Sequence, residues 1–433
     1  MENKAMLNFS LTLLGKLLSK SVQFFNLGNG STWPGHIALK ANPHFISELL
    51  SNSKLTTILI AGTNGKTTTS LLIRTTLEAS GKKVLQNESG ANLLNGIAST
   101  LLLNTSANGK LKQDLAIFEI DENTLPLILK ELTPDYIILL NLFRDQLDRY
   151  GEINTIAGKW KKALADLPDT TTLILNADDP QIAYLGHKTK AKTLYFGLQP
   201  SQFSTHKLQH AADSVYCPKC GEKLHYLALA FSHLGDWHCQ HCGLKRPYIE
   251  TRKFAIYPLT GLYNKYNTLA SLQVLEQIGV PEEQIEDTFT DFAPAFGRQE
   301  IIEYHGKKVQ LFLSKNPTSF NQSYETIKSL GAKKLLIVLN DRIPDGRDVS
   351  WIWDVDLPEI EKFEQILISG DRVYDMALRI KYEDYKKFQM FENLKDAIDA
   401  GIEQTKENET FFILPTYSAM LESRKILTGK KIL

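Results

Sequence analysis

Short apolar runs alternate with helical patterns along most of this chain. Runs at 55–61, 83–87, 114–120, 136–141, 172–176 and 193–196 are strand candidates. Between them apolar positions recur at helical spacing, as over 67–80 and 156–166. That alternation predicts an α/β fold with a mostly parallel sheet and helices on both faces. A stretch at about 205–250 interrupts the pattern and reads as an insertion. A helix is predicted over 264–278, and a second β/α series follows, with strands at 309–313, 334–339, 365–368, 387–390 and 410–414. The expected organisation is a helical lead-in over 1–50, a central domain over 51–304 and a smaller Rossmann-like α/β domain over 305–433.

The lead-in carries Leu11, Leu14, Leu17 and Leu18 in an apolar stretch that Lys16 and Lys20 interrupt. It reads as an amphipathic helix packed on its own domain, with peripheral contact with the membrane as the alternative. No export signal is recognisable, so a cytoplasmic protein is expected, with the inner face of the membrane as the site of any such contact.

Composition narrows this picture little. A length of 433 residues suggests two or three domains. Hydrophobic content of 43% and charged content of 23% are ordinary for a globular protein. Lys plus Arg and Asp plus Glu both number 49, which argues against nucleic acid as a partner.

The four cysteines form one pattern, Cys217-x-x-Cys220 and Cys239-x-x-Cys242, with Gly221 and Gly243 after the pairs. That spacing predicts a tetrahedral Zn²⁺ site of the ribbon type. Four thiolates leave no open coordination position, so the zinc is expected to be structural. It also leaves no cysteine free to act as a nucleophile.

The chemistry starts at Ile58-Leu59-Ile60-Ala61-Gly62-Thr63-Asn64-Gly65-Lys66-Thr67-Thr68-Thr69. A buried strand, a Gly-containing loop and a helix start aim backbone N–H groups at a phosphate. Lys66 is placed to reach the outer phosphates, and the Thr67 hydroxyl to hold Mg²⁺. The expected ligand is ATP, on Gly62, Thr63, Asn64, Gly65, Lys66, Thr67 and Thr68.

This loop is shorter than the general phosphate-binding pattern. It resembles that of the Mur ligase and folylpolyglutamate synthase superfamily, which joins a carboxylate to an amine through an acyl phosphate. Other segments share the resemblance. Glu119 ends the apolar run 115–118 and is implied to bind Mg²⁺, with Asp121 and Glu122 as rivals. Asn141 to Gly151 resembles the D-H-x-D-R segment, with Gln146 in place of His, which puts a second metal site in doubt. Asn176-Ala177-Asp178-Asp179 matches an N-x-D-D turn. Gly261 to Asn267 resembles G-x-H-N-x-x-N, with Tyr263 for His, and implies adenine contacts from Asn264 and Asn267. Gly297-Arg298-Gln299-Glu300 resembles a hinge whose arginine, here Arg298, contacts phosphate. Ser314-Lys315-Asn316-Pro317 implies that Lys315 reaches the nucleotide.

The loop from Asn340 to Asp356, with Pro344-Asp345-Gly346, Trp351 and Trp353, is unusual. Together with the cysteine ribbon it resembles the MurT family, the ligase-like subunits of lipid II isoglutaminyl synthase in Gram-positive bacteria. That resemblance implies a Mur ligase fold with a zinc-ribbon insertion. It also implies ATP-dependent amidation of D-glutamate in lipid II to D-isoglutamine, with Lys66 catalytic. Ammonia would come from a partner, a GatD-type class I glutaminase, whose catalytic triad an aspartate of this chain completes. Asp348 is the expected residue, with Asp354 and Asp356 as alternatives and a mere turn cap as the structural reading of Asp348. Trp351 and Trp353 belong either to the partner interface or to the core. Two other functions compete: a stand-alone ligase adding an amino acid, and a zinc-ribbon module acting on nucleic acid. Because the loop starts at Gly62, the N-terminal domain of ligases with UDP-linked substrates is expected to be absent.

Overall fold

The computed structural model describes residues 8, 10–17, 32–51, 53–87, 90–106, 109–145, 153–203, 205–210, 212–250 and 254–430. The first sheet contains β1 (Thr56–Ala61), β2 (Val84–Gln86), β3 (Leu115–Ile120), β4 (Tyr136–Leu139), β5 (Thr172–Asn176) and β6 (Lys192–Phe196). Its order is β2-β3-β1-β4-β5-β6, and every pair is parallel. β1 and β3 each lie between two neighbours, and apart from Thr56 at the start of β1 every residue in them is buried. Such strands read as continuous apolar runs because helices cover both faces. One face packs with Phe45, Ile97, Leu101 and Trp160, the other with Leu72, Ile73, Leu272 and Leu275.

The lead-in helix, where described, buries Leu11 against the first of these faces, and Asn8 donates to Glu48 at 2.7 Å. Leu13, Leu14 and Leu17 point outward. No helix among the described residues is long and apolar enough to cross a membrane.

Within the insertion, β7 (His225–Phe231) and β8 (Leu234–His238) form an antiparallel hairpin. The second sheet contains β9 (Arg298–Tyr304), β10 (Lys307–Phe312), β11 (Lys334–Val338), β12 (Gln365–Ser369), β13 (Phe388–Met390) and β14 (Thr410–Pro415). Its order is β13-β12-β11-β14-β10-β9, parallel except for β9. The apolar pattern does not show β9. Its sequence, Arg298-Gln299-Glu300-Ile301-Ile302-Glu303-Tyr304, holds no apolar run, and only Gln299 in it is buried, as suits a strand at the sheet edge. The β9–β10 hairpin straddles the expected 304/305 boundary.

Candidate active site

The end of β1 turns into the loop 62–65 and then the helix Lys66–Ala79. Gly62 and Gly65 hold φ of 143° and 96°, values that disfavour a side chain. The loop is braced from the end of β4. Asn141 Oδ1 accepts from the Asn64 N–H at 2.9 Å, and Asn141 Nδ2 donates to the Asn64 carbonyl at 3.0 Å. The Phe143 N–H donates to Thr63 Oγ1 at 3.0 Å. Asn141 lies two residues past the end of β4, and its place after that apolar run was the available signal for its role.

Glu119 sits at the end of β3, within reach of the loop. Thr67 Oγ1 donates to its Oε2 and Ser70 Oγ to its Oε1, each at 2.7 Å. The Asn87 side chain fixes the Glu119 backbone by accepting from its N–H at 2.9 Å and donating to its carbonyl at 3.0 Å. Of the rivals, Asp121 Oδ1 accepts from the Asn123 N–H within its own turn. Glu122 is buried 3.7 Å from Lys66 Nζ. Lys66 also donates to the carbonyls of Gly62 and Thr63, so its ammonium lies along the loop's own backbone.

These residues face a cavity of about 230 Å³. Thr63 to Thr68, Glu119, Asn264 and Asn267 all line it. Arg298 and Lys315 line it from the second sheet's side, together with Gln322, Ser323 and Tyr417, which no motif flagged. Gly62 lies behind the loop, against Leu140 and Asn141. Burial pulls the Arg298 guanidinium below its usual pKa, while Glu119 works in the opposite direction. Desolvation opposes the Lys315 cation, but Asp145 and Glu122 outweigh it and raise its pKa. Tyr263, which replaces the expected histidine, accepts from Gln299 Nε2 at 2.8 Å. Asp178 and Asp179 are fully buried, and the latter accepts from the Leu142 N–H at 2.9 Å, so the N-x-D-D turn steadies the segment after β4. Gln146 to Gly151 lie outside the described residues.

Lys315 also lines a small neighbouring cavity of about 60 Å³ with Arg144, Asp145, Asp348, Ser350 and Asp354. Asp348 is exposed, and its Oδ1 accepts from the Ser350 N–H at 2.8 Å. The Ser350 hydroxyl and N–H hold its carboxyl below the usual range. Asp354 pairs with Arg144 at 3.3 Å, and Asp356 accepts from Asn321 at 3.2 Å and meets His210 at 3.0 Å. Trp351 packs against Phe320 with ring centroids 6.0 Å apart, whereas Trp353 is exposed.

The four cysteine sulfurs lie within 4.8 Å of one another. Cys217 Sγ to Cys242 Sγ is 3.6 Å and Cys220 Sγ to Cys239 Sγ is 3.5 Å. Thiolates about 2.3 Å from a central zinc at tetrahedral corners stand about 3.8 Å apart, and a disulfide requires about 2.05 Å. The donor set therefore fits a four-sulfur metal site. His238 and His241 are not among the clustered ligands.

A parallel-sheet domain with this loop, followed by an α/β domain that closes the same cavity, defines a Mur-type ligase. A pseudomurein peptide ligase type C from Methanothermus fervidus shares the fold with a TM-score of 0.67 at 22% identity, over 88% of this chain and 80% of that one. The MurF ligase from Thermotoga maritima, solved in complex with ADP, matches with a TM-score of 0.59 at 14% identity, over 88% of this chain and 80% of that one. Residues 60–275 match the Mur ligase middle domain, and residues 313–420 match the MurT ligase C-terminal family. The lipid II isoglutaminyl synthase (glutamine-hydrolyzing) subunit MurT of Streptococcus pneumoniae is 33% identical over 97% of this chain and 98% of its own length. The chain belongs to the MurT family of Mur ligases.

Proposed function

We propose that this chain uses ATP to convert the α-carboxylate of D-glutamate in the lipid II stem peptide to the amide, giving D-isoglutamine. The observation that carries this reading is the likeness to a MurT subunit across 97% of the chain. The site geometry supports it. A carboxylate is a poor electrophile because its leaving group would be oxide. A carboxylate oxygen attacks the γ-phosphorus of ATP, ADP leaves, and an acyl phosphate results. Ammonia then attacks the acyl carbon, phosphate leaves, and the nitrogen loses a proton.

The loop N–H groups 63–68 would cradle the phosphates, and Lys66 would offset charge on the transferred group after turning from its backbone contacts. Thr67 and Glu119 would hold Mg²⁺, which supplies Lewis-acid stabilisation of that charge. Asn264 and Asn267 would meet the base, and Arg298 and Lys315 the phosphates from the second sheet. Cys217, Cys220, Cys239 and Cys242 would hold a structural Zn²⁺.

The thiols of this chain are gathered in that cluster. Hydrolysis of glutamine by a nucleophilic cysteine therefore falls to a partner, a class I glutaminase of GatD type. Asp348, exposed beside the Lys315 cavity, is our choice for the aspartate that orients the partner's histidine. Both the substrate and the need for ATP place the reaction at the cytoplasmic face of the membrane.

The test is amidation of lipid II by the purified chain with ATP and Mg²⁺, read by mass spectrometry. Ammonium alone should support product, and glutamine should do so only when the glutaminase is present. ATP-dependent addition of a free amino acid, with no amidation, would instead establish the stand-alone ligase.

A further inference from the structure

Phe231 and Leu234 reach the nucleotide cavity from the cysteine insertion. They flank the turn of the β7–β8 hairpin and line the same cavity as Lys66 and Asn267. The turn is held on several sides. Ser232 keeps a left-handed φ of 49°, and its N–H donates to Gln209 Oε1 at 2.8 Å. His233 is fully buried: its Nδ1 accepts from the Asp213 N–H at 3.2 Å, and its ring lies 4.8 Å from that of Phe143. Phe231 stacks with Phe143 at 6.2 Å and meets Tyr266 edge-on at 5.9 Å.

The rest of the hairpin is docked as well. Trp237 Nε1 donates to the Ala177 carbonyl at 3.1 Å. Arg246 donates to Asp178 Oδ1 at 2.6 Å, while the Tyr266 hydroxyl donates to Asp178 Oδ2 at the same distance. Cys239 follows β8 directly, so the sulfur cluster clamps the open end of a hairpin whose closed end enters the cavity.

We propose that the tip of this hairpin, Phe231 with Leu234, is a wall for the purine of ATP, so that the ribbon sets affinity for the base. The proposal rests on the ATP reading above. Phosphates are served by the loop N–H groups and cations, whereas a purine is a planar, largely apolar body that needs apolar and aromatic lining. An insertion outside the ligase core supplies part of that lining here.

Calorimetric binding of Mg²⁺-ATP and of inorganic tripolyphosphate to the full chain separates the parts. Phe231→Ala should weaken ATP binding about ten-fold, the size of a lost base–aromatic contact. Leu234→Ala should weaken it by less through lost apolar contact, and both should leave tripolyphosphate binding unchanged. Tyr248→Ala, on the exposed outer side of the insertion, should change neither. Unchanged ATP affinity in both cavity variants would overturn the proposal. So would an equal loss for both ligands, which would make the hairpin a brace for the phosphate loop through Phe143. Melting curves and zinc content verify folding. If Phe231→Ala does not fold, Phe231→Leu should show the same selective loss for ATP, smaller in size. Failure of the unmodified chain to bind ATP would strike the ATP reading itself, a result distinct from either.

Discussion

Gly65 and Asn267 stand so close that a β-carbon on the glycine would lie 2.1 Å from Asn267 Oδ1. The loop 62–65 and the helix Leu262–Ile278 thus meet with no room for a side chain. Gly65→Ala should weaken ATP binding by at least about ten-fold, since the left-handed backbone alone costs an alanine roughly 1–2 kcal/mol. Calorimetry reads this directly. Wild-type affinity in the variant would mean that ATP binds elsewhere.

Glu119 accepts from both Thr67 and Ser70, which leaves its carboxylate beside the hydroxyl expected to meet the metal. Glu119→Gln should raise the Mg²⁺ concentration needed for half-maximal amidation and lower kcat by about 100-fold or more, as expected when a preorganised charge facing the phosphates is lost. A variant with the wild-type Mg²⁺ requirement would shift the assignment to Glu122.

Removing one sulfur should empty the ribbon. In Cys220→Ser, metal analysis should fall from about one zinc per chain to near none, because three thiolates do not close a structural site. Proteolysis should then cut within 205–250 while the phosphate-loop domain survives. Full zinc content in that variant would show that the metal, if bound, is held by other groups.

Asp348 has its local cap to Ser350, and its charge lies in solvent. Asp348→Asn should leave ammonium-dependent amidation intact and reduce glutamine-dependent amidation on the order of 10⁴-fold, as when a triad aspartate becomes an amide. Its carboxyl should titrate below the ordinary aspartate value of 3.8. A depressed folded value means that its contribution to stability is present above the unfolded value and fades as pH falls through the lower one. A carbon-13 titration with a midpoint at or above the ordinary value would remove the Ser350 cap from the account. Equal loss of both activities would place Asp348 in the ligase site instead.

Much of the fold was legible because buried parallel strands announce themselves as apolar runs. β1, β3, β4 and β5 fall within a residue or two of the runs that predict them. The fourfold cysteine spacing was equally legible, because its ligands lie close in sequence within each pair. β9 was not, since its sequence, Arg298 to Tyr304, is mostly polar and forms no apolar run. The approach of Phe231 to Tyr266, and of Glu122 to Lys66, depends on how distant segments dock, and no local period encodes that. Asp348 was legible only as one of three candidate aspartates in a loop that holds five. The structure separates them by their partners: Arg144 engages Asp354, and Asn321 and His210 engage Asp356.

The gathering of all four thiols at one point has a practical corollary. Cys217, Cys220, Cys239 and Cys242 are the chain's entire stock of sulfhydryl groups, and they lie within 4.8 Å of one another. A colorimetric thiol reagent therefore has no background to subtract. If the cluster holds the proposed zinc, the slow phase would time its release and the fast phase would count molecules without it, and an oxidised preparation would score zero.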